Sequence, residues 1–194
     1  MTSGWVRWIS AIFGLALCVS VVGCGGPPTP PPAVDTDKAS ATEQVDPSNQ
    51  FAFGVMYEFG NDVPLDLAEA VKWYRLAAEQ NHTEAIFHLA RCYLNGEGVK
   101  ADSTEAVKWF RKGAELGSAD AQWMLGNCYK LGVGVKKNIV QAYALISAAV
   151  DGAENPEQKK GMAEVRDKLG KEISVEQLKE AKRLAEEWKA KGKN

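Results

Sequence analysis

Three stretches of this chain align with one another at a constant spacing of 36 residues. Each copy contains a tyrosine, a glycine three residues later, and a helix-capping residue six residues beyond that glycine. These positions are Tyr57, Tyr93 and Tyr129; Gly60, Gly96 and Gly132; and Asp66, Asp102 and Asn138. A period of this length is typical of solenoids, in which each repeat buries its apolar face against its neighbours.

The first part of each copy predicts a helix that ends in a tight turn. In the second copy Ala85, Leu89 and Tyr93 recur every four residues, so they share one face of a helix. The glycine at position 96 follows that stripe, where the chain needs a residue that readily takes a positive φ. The same order of residues in all three copies predicts the same helix and turn three times.

A second helix in each copy has its own start signal. Asp66, Asp102 and Asn138 each precede a Glu or Gln by three residues, which is the spacing of a capping box. Trp73 and Trp109 lie at equivalent positions inside these helices, and we expect both to fill the gap between neighbouring helices. The sequence therefore predicts an all-α chain of helix–turn–helix repeats.

This pattern resembles the Sel1-like repeat, a relative of the tetratricopeptide repeat. The resemblance covers about residues 49–153, divided at 49–81, 82–117 and 118–153. It implies a right-handed α-solenoid whose first helices line a concave groove. The third copy departs from the pattern, since Leu145 replaces the tryptophan and the register slips near residues 148–149. Two further helices are predicted near 156–169 and 175–191, and we expect residues 154–194 to cap the solenoid.

The resemblance also indicates which side chains would face a partner in the groove. These are Phe51, Val55, Glu58 and Phe59; Phe87, Arg91, Leu94 and Asn95; and Trp123, Asn127, Lys130 and Leu131. Phe51, Phe87 and Trp123 would form an aromatic ladder, and aromatic side chains are frequent interface anchors. The alternative is that the three aromatic rings pack between neighbouring repeats.

The N-terminal residues are of a different kind. Arg7 is the only charged side chain in residues 1–23, and an apolar run leads to Val21-Val22-Gly23-Cys24. That ending resembles the lipobox of bacterial lipoproteins, which implies a signal peptide over residues 1–23 and a diacylglycerol on Cys24. The protein would then be lipid-anchored in a bacterial cell envelope, at the periplasmic face of the outer membrane in a Gram-negative cell. The alternatives are a cleaved signal with an unmodified Cys24 and an uncleaved anchor.

Residues 24–48 form the predicted tether between this signal and the repeats. The segment is rich in proline and nearly free of large apolar side chains. Such a segment cannot bury enough surface to offset its ordering entropy. We expect a spacer rather than a recognition site for a proline-binding domain.

The remaining sequence offers little chemistry. A formal net charge of -2 gives no electrostatic case for binding nucleic acid. His82 and His88 are six residues apart, do not share a helix face and lack zinc-site neighbours, so we expect two surface histidines and no metal. The chain has no nucleophile elbow, no Ser-x-x-Lys and no phosphate loop. These absences predict a protein without catalytic residues or a cofactor.

Two cysteines, Cys92 and Cys128, occupy the same repeat position. Equivalent residues of stacked helices lie roughly 8–10 Å apart, beyond the reach of about 7 Å that a disulfide allows, so we expect buried free thiols. Sel1-like proteins described as β-lactamase-like carry paired cysteines within each repeat, and this chain does not. The leading hypothesis is an envelope-anchored scaffold or adaptor that binds a peptide or protein partner. The alternatives are a β-lactamase-like or other cell-wall-active enzyme and a structural spacer without a specific ligand.

Overall fold

The computed structural model describes residues 45–192, and this part of the chain forms eight helices and no strand. The helices are α1 (Pro47–Phe59), α2 (Leu67–Glu79), α3 (Thr83–Asn95), α4 (Ser103–Glu115), α5 (Ala119–Leu131), α6 (Ile139–Gly152), α7 (Pro156–Lys171) and α8 (Val175–Lys191). Within the same range, no helix combines the length and the apolar character needed to cross a membrane. The predicted signal peptide, Cys24 and most of the tether lie outside the described residues.

The helices pair as the repeat predicts. In each repeat the first helix packs on the second, giving the pairs α1–α2, α3–α4 and α5–α6. Each second helix also packs on the first helix of the next repeat, which continues the stack into α7. Helix α1 begins at Pro47, with Asp46 as its cap, two residues before the predicted repeat boundary. Proline suits the first position of a helix because it has no N–H that needs a partner. The predicted α-solenoid is therefore confirmed.

A repeated hydrogen bond joins successive repeats at the tyrosine positions. The guanidinium of Arg75 donates to the hydroxyl of Tyr93, and that of Arg111 donates to the hydroxyl of Tyr129 at 2.7 Å. Each guanidinium also lies over the ring of its tyrosine, at 5.6 and 5.9 Å from the ring centroid. The repeat tyrosines therefore fasten a second helix to the first helix of the following repeat.

The turn between the helices explains why one glycine is missing from the first copy. Gly60, Gly96 and Gly132 end the first helices with φ of 70°, 77° and 77°, as predicted. Gly98 follows Gly96 by two residues. A Cβ at Gly98 would come within 2.1 Å of the carbonyl oxygen of Leu67 in the preceding repeat. Asp62 holds the equivalent place in the first copy with φ of 59°, and no described repeat precedes it there. Close approach between repeats therefore requires glycine only from the second copy onward.

The start signals of the second helices are confirmed as N-caps. The side chains of Asp66, Asp102 and Asn138 each accept the backbone N–H three residues later, at 3.0 Å in every case. The predicted capping box also includes a second bond, from the cap N–H to the Glu or Gln side chain. In the second and third copies this part of the prediction is wrong. The cap N–H donates instead to the carbonyl of Tyr93 or Tyr129, at 2.8 and 2.9 Å. The first helix therefore already supplies the acceptor that a Glu or Gln side chain would provide.

Both repeat tryptophans pack against the apolar core, as predicted, but they are not equally buried. Trp73 is fully buried and meets the ring of Phe53 edge-on at 5.0 Å. Trp109 is only half-buried, and the ammonium of Lys112 covers its ring at 5.3 Å. The position one residue later is fully buried in all three copies: Tyr74, Phe110 and Ile146. That position is the more constant apolar contact of the second helices.

Helix α8 folds back over α6 and reaches α4. It buries Ala181, Ala185 and Trp188, and the last two join the apolar cluster that contains Ala144 and Leu145 of α6. At its end, Lys189 pairs with Asp151, and the Lys191 ammonium lies 3.8 Å from the Glu115 carboxylate of α4. This helix begins with a complete capping box, in which Ser174 and Gln177 exchange hydrogen bonds of 2.9 and 3.2 Å.

Candidate partner-binding cleft

A cleft of about 380 Å³ opens where α1 and α3 meet the turn between α4 and α5. Its lining combines aromatic, small polar and acidic side chains. The lining residues are Phe51, Thr83, Glu84, Phe87, His88, Leu116, Gly117, Ser118 and Asp120. Two of the three predicted groove aromatics, Phe51 and Phe87, thus face the same cleft.

The two phenylalanines of the cleft also pack against their neighbours. The ring of Phe51 stacks on His82 of the next repeat, with 5.0 Å between the centroids, and meets His88 edge-on at 5.4 Å. The ring of Phe87 lies 6.0 Å from Phe110 and 6.0 Å from His88. Each phenylalanine is half-buried. One side of each ring therefore serves packing, and the other remains part of the cleft wall.

Both histidines are structural, so the expectation of two surface residues is wrong. Their side chains are 17% and 21% exposed, because Phe51 of the preceding repeat lies against both rings. His82 caps α3, and its Nδ1 accepts the N–H of Ala85 at 3.3 Å. Asp46 and Ser118 cap the equivalent helices exactly 36 residues away on either side. The register could therefore have identified His82 as a cap.

Glu58 is the centre of a polar network between the first two repeats. Its carboxylate accepts hydrogen bonds from the Tyr74 hydroxyl and, at 2.9 Å, from the Arg91 guanidinium, and it lies 3.1 Å from His88 Nδ1. Burial raises the pKa of Glu58, but the hydrogen bonds from His88 and Tyr74 and the charge of Arg91 outweigh it and bring the pKa to about 2. The carboxylate is therefore held in its charged form.

This network corrects the placement expected for two groove residues. The Glu58 side chain is only 11% exposed, and the Arg91 guanidinium lies between Glu58 and Glu97. Both side chains hold repeats together instead of pointing freely into the groove. Sequence reasoning missed this pairing because the equivalents of Glu58 are Leu94 and Lys130, so the repeat gave no recurring signal.

The other predicted groove residues do not join the cleft. Trp123 packs against the C-terminal part of the solenoid, beside Val150 and Met162, which interrupts the aromatic ladder after its second ring. The Asn127 side chain donates to the Trp123 carbonyl at 3.0 Å. Asn95 is exposed and donates to Glu97 at 3.1 Å. Val55 and Lys130 are half-buried and lie outside the cleft lining.

The described residues hold no arrangement suited to metal or thiol chemistry. Between residues 45 and 192, no group of three His, Cys, Asp or Glu side chains could hold a metal ion. Cys92 and Cys128 are buried free thiols, as predicted, so the alternative of a disulfide between them is wrong. Burial raises the pKa of Cys92 to about 11 and also raises that of Cys128, which disfavours the reactive thiolate.

The fold and the cleft define an α-solenoid of helix–turn–helix repeats with an open surface between repeats. The chain belongs to the Sel1 repeat family, because the family model matches residues 50–82, 83–118 and 119–152, more than half of the chain. Each of these bounds lies one residue from the bound given for the same repeat in the sequence analysis. Sel1 repeat proteins typically mediate protein–protein interactions.

Two solved structures resemble this chain. One is a protective antigen with an SLR fold from uropathogenic Escherichia coli strains, at 32% identity and a TM-score of 0.67, covering 79% of this chain and 32% of the antigen. The other is a Sel1 repeat protein from Oxalobacter formigenes, at 33% identity and a TM-score of 0.55, covering 59% of this chain and 45% of that protein. The chain thus spans less than half the length of either relative. No curated protein matches it.

Proposed function

We propose that this protein is an adaptor that binds a segment of a partner protein in the cleft between α1, α3 and the α4–α5 turn. The observation that carries the proposal is the cleft itself, where Phe51 and Phe87 form apolar walls beside several hydrogen-bonding groups. Aromatic anchors surrounded by a few polar groups are the usual composition of binding sites. Membership of a family of interaction repeats supports the same role.

Photocrosslinking in cells that make the protein tests this proposal. A photoreactive amino acid replaces Leu116 in the cleft, and a matched control replaces Val175, which is 79% exposed and lies outside the cleft. We expect a defined crosslinked partner from position 116 alone, and its loss when Phe87→Ala is added. Equal crosslinking from both positions, or crosslinking unaffected by Phe87→Ala, would contradict a cleft-binding adaptor.

We further propose that a lipid on Cys24 anchors the adaptor to a membrane of a bacterial envelope. The support is the Val21-Val22-Gly23-Cys24 motif after an apolar run, followed by a proline-rich spacer. Buried acyl chains contribute about 0.8 kcal/mol per methylene, so several chains hold a small domain firmly. Metabolic labelling with a fatty acid should mark the wild type and not Cys24→Ser. Label that persists in the variant would overturn the anchor.

A non-catalytic role is part of the same proposal. It is supported by the buried, high-pKa thiol of Cys92 and by the absence of a metal-binding group within the described range. The purified protein should leave the chromogenic β-lactam nitrocefin intact. Turnover that survives repurification would instead favour the cell-wall enzyme.

A further inference from the structure

We propose that the cleft selects a partner segment in which a lysine or arginine stands beside an apolar residue. This inference rests on the proposed function and specifies the chemistry of its partner. Its basis is a pair of carboxylates, Glu84 and Asp120, that line the same cleft as Phe51 and Phe87. The two acids are equivalent residues of the second and third repeats, in the first turns of α3 and α5.

The rim of the cleft carries two carboxylates that pair with no lysine or arginine. No lysine or arginine is among the lining residues. Glu84 accepts from the Thr83 hydroxyl at 3.0 Å and lies 3.4 Å from His82 Nδ1, and Asp120 accepts from the Gln158 amide at 3.1 Å. By contrast, Glu69 and Glu105, in the first turns of α2 and α4, pair with Lys72 and Lys108 at 2.8 and 2.7 Å.

Two histidines, His82 and His88, lie near the rim and are held by contacts within the repeats. The Nδ1 of His82 lies 3.4 Å from the Glu84 carboxylate and accepts the N–H of Ala85 at 3.3 Å, so this ring is held against the start of α3. The His88 ring is turned toward Glu58, whose carboxylate lies 3.1 Å from its Nδ1. The pKa of Glu84 is lowered, mainly by a bond from its own backbone N–H, so its carboxylate is charged at neutral pH.

The walls of the cleft suit the stem of a basic side chain. Phe51, Phe87 and Leu116 provide apolar surface, and Leu116 is among the exposed large hydrophobic residues of the described chain. Lysine and arginine bury their methylene stems on such surfaces while the charged group stays at the edge. A cation near the phenylalanine rings gains a further attraction from their electron-rich faces. The aromatic walls therefore suit the apolar residue and the methylene stem of a partner segment, and the acidic rim suits the charge of its neighbouring lysine or arginine.

Acidic side chains in the first turn of a helix also interact favourably with the helix dipole. The positions of Glu84 and Asp120 could therefore reflect helix stability as well as partner binding. The two roles separate experimentally, because the dipole contributes to folding stability and the rim contributes to affinity. The test therefore needs variants that keep the fold and change only the charge of the rim.

Selection of short random peptides on the full-length protein, followed by fluorescence anisotropy, tests the inference. We expect the selected peptides to be enriched in Lys or Arg beside an apolar residue. The double variant Glu84→Gln, Asp120→Asn should weaken the best peptide about tenfold. Replacing the peptide's basic residue by glutamine should weaken binding by a similar factor. Circular dichroism melts of each variant report on the helix-dipole role.

The matched control is Glu79→Gln, Glu164→Gln, which removes two exposed carboxylates outside the cleft and changes the net charge equally. It should leave affinity nearly unchanged. If peptides bind and are lost with Phe87→Ala but show no dependence on basic residues or on the rim, this inference is overturned and the adaptor function stands. If no selected peptide responds to Phe87→Ala, the cleft is not the binding site and both proposals are overturned.

Discussion

Helices α4 and α6 occupy equivalent places in the second and third repeats, yet their outer faces differ. Helix α4 presents the exposed Lys108 and the half-buried Lys112, whereas α6 has the fully buried Ala144 and Ala148 at the same register positions. The difference arises because α8 lies on α6. The departures of the third copy from the repeat pattern therefore mark the surface where a non-repeating helix docks.

The first helices of the same two repeats show a parallel contrast. Phe87 in α3 lines the open cleft, whereas its equivalent Trp123 in α5 packs beside Val150 and Met162. The C-terminal helices thus cover parts of α5 and α6 whose equivalents in the second repeat stay open. We infer that the third repeat and the C-terminal helices stabilise the end of the solenoid, whereas the first two repeats supply the main walls of the binding cleft.

The largest expected effect comes from removing the anchor of α8. Trp188→Ala should lower the free energy of unfolding by about 3–5 kcal/mol, because a buried tryptophan leaves a large cavity. Trp109→Ala should cost clearly less, since that ring is only half-buried. Urea unfolding followed by circular dichroism measures both variants. Equal losses of stability would mean that the buried Trp188 and the half-buried Trp109 contribute alike.

An exchange of residues between the two outer faces should have the next largest effect. Ala144→Lys places a long charged side chain beneath α8 and should cost at least about 2 kcal/mol. The reciprocal change Lys108→Ala removes an exposed side chain and should change stability by less than about 0.5 kcal/mol. Thermal melts of the two variants compare them directly. A tolerated lysine at position 144 would show that α8 is not tightly docked there.

Glu58 should make the contact between the first two repeats sensitive to acid. Its pKa of about 2 in the folded chain lies below the ordinary value of 4.5, so its contribution is complete above pH 4.5 and is lost as the pH falls toward 2. Glu58→Gln should cost about 1–3 kcal/mol at neutral pH, because the Arg91 guanidinium loses the negative charge that it faces in a half-buried site. Unfolding measured across this range should show the two curves converging near pH 2. The exposed Glu79→Gln should show no such convergence, and parallel curves for Glu58→Gln would exclude a depressed pKa.

The smallest expected difference separates a complete capping box from an incomplete one. Gln177 bonds the backbone of Ser174, whereas at the start of α6 the N–H of Asn138 donates to the Tyr129 carbonyl. Gln177→Ala should therefore cost about 0.5–1.5 kcal/mol, and Gln141→Ala less than about 0.5 kcal/mol. Matched thermal melts resolve this difference. A larger loss at Gln141 would indicate that its side chain completes the box in solution.

The repeating parts of the fold could be predicted because their signals are local and occur three times. Helix stripes, turn glycines and N-caps each depend on residues within a few positions of one another, and the structure contains all of them. The inequality of Trp73 and Trp109 could not be predicted, because it depends on Phe53 and Lys112, which do not repeat. Local periodicity thus predicts the helices and turns, but it does not predict how deeply each side chain is buried.

The cleft was only partly predictable for a related reason. The register placed Phe51 and Phe87 on the same surface, and both line the cleft. It could not indicate that Glu58 pairs with Arg91, because that contact joins residues of different repeats and occurs once. Nor could it indicate that Trp123 is covered by the C-terminal helices, since their path over the solenoid is set by tertiary packing. Non-repeating residues therefore decide which part of the groove remains open.

Hydrogen exchange of the full-length chain, with and without the best selected peptide, tests most directly whether the open surface is the binding surface. Backbone protection on binding reports which segments a ligand stabilises. The predicted result is slower exchange in α3 and in the turn between α4 and α5, with α6 and α8 unchanged. Protection confined to α6 and α8, with none in α3, would contradict a binding site in the cleft between α1, α3 and the α4–α5 turn.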